Sequence, residues 1–126
     1  MKKIISTSNA PAPIGPYNQA VLAGETLYIS GQIPLDPKSG ELVSGDIAAE
    51  TKMVMQNLEA ILTEAGLTFE NVVQSSIFLS DMKSFAAVNE VYGTFFDEKT
   101  APARETVEVA NLPKFVNVEI SMIAIK

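Results

Sequence analysis

Residues 116–125 read VNVEISMIAI, and the alternation of their side chains decides the fold. In a strand, successive side chains point to opposite faces of the sheet. Val118, Ile120, Met122 and Ala124 then share one face, while Ile123 and Ile125 share the other. One apolar face is expected to meet helices. The other is too apolar to leave in water, which suggests a partner subunit. Glu119 falls inside this strand, where a carboxylate is costly unless something pairs with it.

Two helices are available to cover the first face. From Asp46 to Ala65, the residues Ile47, Val54, Leu58, Ile61, Leu62 and Ala65 recur at helical spacing. Asp46 is placed to cap the start and Gly66 to stop the end. A second helix is expected over Ser84–Phe96, with Phe85, Val88, Tyr92, Phe95 and Phe96 as its buried face. Strands are expected at Val72–Ser80, Thr106–Val109 and Val116–Ile125. Val21–Leu22 and Leu27–Ser30 flank a hairpin turn at Ala23-Gly24-Glu25. The proline-rich stretch 10–16 and the turn-rich stretch 34–40 read as loops. The order ββ(β)-α-β-α-ββ describes an α+β fold in a single domain over residues 1–126, a mixed sheet with two helices on one face.

Composition narrows the chemistry. The chain has no His and no Cys, so disulfides, thiolate metal sites, Ser-His-Asp triads and cysteine nucleophiles are excluded. A zinc site would need carboxylates alone, and no metal is expected. The net charge of −6, with nine scattered basic residues, disfavours nucleic acid. No apolar run is long enough for a membrane helix and no signal peptide is visible, so a cytoplasmic location is expected.

The remaining chemistry centres on Arg104 and Glu119. An arginine fork is well shaped to grip a small carboxylate with two parallel hydrogen bonds. The plainer reading of Arg104 is an ion-paired surface residue. Glu119 either closes a subunit interface through an ion pair or orients a water, and both hold if the site lies at an interface. Tyr17, Ser30 and Asn89 read equally well as structural groups, and Gly31 would let the backbone approach a ligand closely.

With these residues laid out, the chain resembles the RidA (YjgF) family of enamine/imine deaminases. The resemblance spans nearly the whole length. It rests on IGPYNQA at 14–20, SGQIPLDPKSGEL at 30–42, VNEVYGTFF at 88–96, PAR at 102–104, VEVANLPK at 107–114 and VEI at 118–120. It implies a chorismate-mutase-like α+β fold with a six-stranded mixed sheet. It further implies a homotrimer whose sheets form a central barrel with helices outside, and sites in clefts between subunits. The family's essential arginine matches Arg104, which would grip the substrate carboxylate. Thr106 would offer its backbone N–H. Tyr17, Ser30, Gly31 and Asn89 would line the cleft, and Glu119 would lie near the attacking water.

The implied substrates are 2-iminopropanoate and 2-iminobutanoate, arising from enamines that pyridoxal-phosphate dehydratases release from serine and threonine. The products would be pyruvate or 2-oxobutanoate plus ammonia, with no cofactor. Two alternatives stand beside this. One is a trimer that binds small carboxylates as a regulator without turnover. The other is an RNA-directed translation inhibitor or ribonuclease. The chain departs from the family pattern at Glu105, where the residue is usually small. Strand alternation points Glu105 away from the face carrying Arg104 and Thr106.

Overall fold

Helix α1 (Ile47–Glu64) forms where its apolar stripe and both end signals agree. The Asp46 carboxylate accepts from the Ala48 N–H at 3.0 Å. At the other end Gly66 takes φ +77. Its N–H bonds Thr63 O and the Leu67 N–H bonds Leu62 O, a Schellman stop that favours glycine. The structure, a computed structural model, describes residues 1–126.

Six strands form one mixed sheet: β1 (Lys2–Ile5), β2 (Ala20–Ala23), β3 (Thr26–Gln32), β4 (Val72–Leu79), β5 (Ala103–Glu108) and β6 (Val118–Ile125). Their order across the sheet is β1-β2-β3-β6-β4-β5. Only β4 and β5 run parallel, joined by the crossover through helix α2 (Phe85–Gly93). The α+β reading with two helices over a six-stranded mixed sheet therefore holds. Helix α1 lies across β3 and β6 and against α2. Val118, Ile120, Met122 and Ala124 are at most 1% exposed beneath the helices, whereas Ile125 is 39% exposed on the far face. No helix is long and apolar enough to cross a membrane.

That far face is the one the alternation marked as too apolar for water. The pairing registers align Ile4, Val21, Tyr28 and Ile123 across it. Ile4, Tyr28, Val107 and Ile125 are all exposed there.

Several boundaries differ from expectation for identifiable reasons. Strand β1 was not foreseen: it is four residues long, two of them lysines, a composition suited to a sheet edge. Strand β5 begins at Ala103 rather than Thr106, because it follows the register of β4 from Gln74 onward. Helix α2 ends at Gly93 rather than Phe96. Past Gly93 the chain tightens into i→i+3 bonds, and Phe95 and Phe96 turn to meet Phe69 at 5.4 and 5.3 Å between ring centroids. Phe85 is 38% exposed and so does not belong to the buried face of α2. Strand β6 begins at Val118. Asn117 is drawn off the strand by the buried Glu50 carboxylate, which accepts from Asn117 Nδ2 at 2.9 Å, and by Ser80 Oγ, which donates to Asn117 Oδ1 at 2.9 Å.

The proline-rich loop 10–16 is tied down by one side chain. Gln19 is 3% exposed. Its amide nitrogen donates to the carbonyls of Thr7, Ala10 and Pro11, and its oxygen accepts from the Thr7 N–H.

Candidate functional site

Arg104 is held by α2. Phe85, Asn89 and Tyr92 recur at helical spacing on one flank of that helix. Arg104 Nη1 donates to Asn89 Oδ1 at 2.7 Å. Its guanidinium carbon lies 5.0 Å from the Tyr92 ring centroid and 5.7 Å from that of Phe85. Aromatic faces attract a guanidinium and leave its N–H edge free. Arg104 is half-buried in a cleft also lined by Gly93, Phe96, Glu98 and Ala101.

The Tyr92 hydroxyl donates to Ser75 Oγ at 2.9 Å. Burial pushes the phenol up, and the Ser75 bond and the Arg104 charge pull it partly back. Replacing Tyr92 by phenylalanine should leave the fully buried Ser75 hydroxyl unpaired. The expected loss is about 1–3 kcal/mol of stability by urea denaturation. The ring under Arg104 remains, so the arginine's stack should persist.

Glu119 occupies a different place. It pairs with Phe78 in register and therefore shares the open face of the sheet. Its carboxyl lies over Gly31, where a Cβ would come within 2.8 Å of Glu119 Cδ. Gly31 falls in the register shift between Ile29 and Gln32. Burial alone pushes the Glu119 carboxyl above the ordinary glutamate range, with neither a cation nor a donor to offset it. A Gly31→Ala variant should fold, because the atoms it meets are the far end of a flexible side chain. The stability change is expected below about 1 kcal/mol. Urea denaturation of Gly31→Ala beside wild type reads that change.

Tyr17 lines a small pocket with Pro11, Ile14, Gly31, Ile33 and Lys114. Its hydroxyl accepts from the Ile14 N–H at 3.4 Å. The Ser30 hydroxyl donates to the Asn18 carbonyl at 2.6 Å, so it serves the loop. Thr106 lies two residues beyond Arg104 on the helix side of β5, an edge strand whose outward N–H groups have no strand partner. Its hydroxyl is buried and unpaired. Glu105 points to the open face as alternation predicts. There Gln74 Nε2 donates to it at 3.3 Å and the Ser76 hydroxyl also donates.

The sequence-derived residues thus form two groups. Arg104, Asn89 and Thr106 lie on the helix side at the sheet edge. Tyr17, Ser30, Gly31 and Glu119 gather around β3 and β6. Strand β4 lies between β5 and β6, and Arg104 and Glu119 face opposite ways. The stacking role of Phe85 and Tyr92 went unread in the sequence. Their spacing to Asn89 was the available signal.

Residues 7–126 match the family profile described as Endoribonuclease L-PSP. The chain belongs to the RidA (YjgF) family. A RutC family protein of Pyrococcus horikoshii is 52% identical over 126 residues, covering 100% of this chain and 99% of the relative. The 2-iminobutanoate/2-iminopropanoate deaminase of Mus musculus is 49% identical, covering 100% of this chain and 93% of its own. The structure of E. coli TdcF with bound serine superposes with a TM-score of 0.92 at 43% identity, covering 98% of each chain. The TM-score shows that TdcF and this chain share one fold.

Proposed function

We propose that this RidA-family chain hydrolyses small 2-imino acids to 2-oxo acids and ammonia, at sites assembled between copies of the chain. The observation that carries this reading is Arg104. Its one side-chain hydrogen bond goes to a neutral amide, it rests on two aromatic rings, and the rest of its fork is available to a carboxylate. The mouse relative named for this activity and the serine-bound TdcF support a small amino- or imino-carboxylate as ligand.

The two groups of residues face opposite ways, so one copy would present its Arg104 cleft to the Glu119 pocket of the next. The open apolar sheet faces would meet in a homotrimeric barrel. Arg104 holds the substrate carboxylate, and the backbone N–H at Thr106 assists. A water beside Glu119 adds to the imine carbon. Glu119 takes the proton lost from that water and returns it to the nitrogen. The carbinolamine hydroxyl then passes its proton to that nitrogen as the C=O bond forms and the C–N bond breaks, releasing ammonia. Orientation supplies much of the acceleration, and the carboxylate adds general base catalysis. No cofactor enters the balance.

The test is ammonia release from 2-iminobutanoate generated in situ by a threonine dehydratase. Acceleration by the protein supports the reading. Absence of acceleration, with carboxylate binding intact, would replace it with a regulatory binding protein. The ribonuclease name of the family profile gives a second reading. The net charge of −6 and the absence of histidine weigh against it. Salt-sensitive RNA cleavage that survives loss of Arg104 would favour it.

A further inference from the structure

Beside the Glu119 carboxyl the sheet interrupts its ladder. Strand β3 pairs with β6 in register up to Ile29 and resumes at Gln32, opposite Ile120. Ser30 and Gly31 fall in the gap, and Gly31 is the residue over which the Glu119 carboxyl lies. An irregularity of this kind re-aims what it carries, so groups outside the ladder must fix its backbone.

Three buried amide residues do so. Before the gap, Gln19 ties down the preceding loop, and its carbonyl accepts from the Ser30 N–H at 2.9 Å. At the end of the gap, Gln32 Nε2 donates to the Ser30 carbonyl at 3.2 Å. After it, Asn57 reaches across from helix α1. Its Nδ2 donates to the Ile33 carbonyl at 3.2 Å and to the Leu35 carbonyl at 2.9 Å. Ile33 and Leu35 line the same small pocket as Gly31 and Tyr17.

Asn57 is the member of this set that packing does not explain. It is 0% exposed and lies one turn from Val54 and from Ile61, on the apolar stripe of α1. Leucine has the same branched shape and would suit that stripe. The Asn57 nitrogen serves the 33–35 backbone, yet its Oδ1 has no partner. A half-satisfied polar group in a core is destabilising, and what this one holds is the exit of the irregular segment.

We propose that Asn57 is a positioning residue: from the core of α1 it fixes residues 33–35 and thereby holds Gly31 against the Glu119 carboxyl. The catalytic consequence rests on the deaminase reading of Glu119, whereas the geometric one does not. Gly31 sits so close that an added Cβ would meet Glu119 Cδ at 2.8 Å, so a shift of its backbone is felt directly by the carboxyl. Arg104 takes its side-chain contacts from α2 and should not sense the change.

The test uses Asn57→Leu, which keeps the branched shape and removes both donated bonds, beside Asn57→Ala, which removes them without adding bulk. In NMR spectra of nitrogen-labelled protein the Gly31 and Ile33 amide signals should move while the Arg104 Nε–H signal stays in place. In the imine assay kcat should fall about tenfold with KM unchanged. Urea denaturation of Asn57→Leu should show no matching loss, because the unpaired Oδ1 is removed with the donors. Displaced Gly31 signals in a protein whose wild type shows no turnover would leave the positioning role standing and sink the deaminase reading. Wild-type turnover with kcat retained, or with the Gly31 signal unmoved, in the variants that fold would overturn the proposal and spare that reading. Equal displacement of the Arg104 and Gly31 signals, or failure of both variants to fold, would also overturn it and make Asn57 a residue of the fold alone.

Discussion

Arg104→Ala is expected to lose imine turnover almost completely while the protein stays folded. Two charge-assisted bonds to the substrate carboxylate contribute about 1.5–3 kcal/mol each. Their removal should lower kcat/KM by roughly two to four orders of magnitude. Arg104 is half-buried, and its contacts are one bond to Asn89 and two ring faces. Its removal should therefore cost no more than about 1 kcal/mol of stability by urea denaturation. Arg104→Lys keeps the charge but loses both the planar fork and the stack, so it should recover only part of the activity. Near-normal turnover in Arg104→Ala would end the deaminase assignment.

Glu119→Gln should move activity and stability in opposite directions. Losing the base is expected to lower kcat about 10²–10⁴-fold with little change in carboxylate binding. The wild-type carboxyl is pushed up by burial alone, so folding favours its neutral form. Its favourable contribution is complete below the ordinary carboxylate range and is lost as pH rises through the raised value. Glu119→Gln removes that loss. The variant should be more stable than wild type at neutral pH, with the difference vanishing near about pH 4. The wild-type rate should climb with pH through the same raised value. A variant that loses stability at neutral pH would show instead that Glu119 is held by an ion pair.

Much of this was legible in the chain, for local reasons. Helix α1 carries its stripe, its cap and its glycine stop in one continuous segment, and the structure follows all three. The alternation in β6 gave both of its faces, and the same logic turned Glu105 away from Arg104. What stayed hidden depends on distant partners. Strand β1 exists because β2 offers it an edge, not because Lys2–Ile5 is a strong strand former. The first residues of β5 are carried by their register with β4 despite their charge. Tyr92 is buried as its spacing indicates, but that it also lies under the arginine, and that the exposed Phe85 flanks the same guanidinium, had no local signal in the apolar pattern. The division of the candidate site into two groups follows from β4 lying between β5 and β6, and sheet order has no local signal in the sequence.

That division has a genetic consequence. If each site draws Arg104 from one copy and Glu119 from the next, two dead variants can rescue one another. Arg104→Ala chains still carry a sound Glu119 pocket, and Glu119→Gln chains still carry a sound Arg104 cleft. Co-assembled at random in equal amounts, about one site in four would combine the two intact halves. Activity would reappear in the mixture although neither parent has it, as complementation between alleles of a single gene.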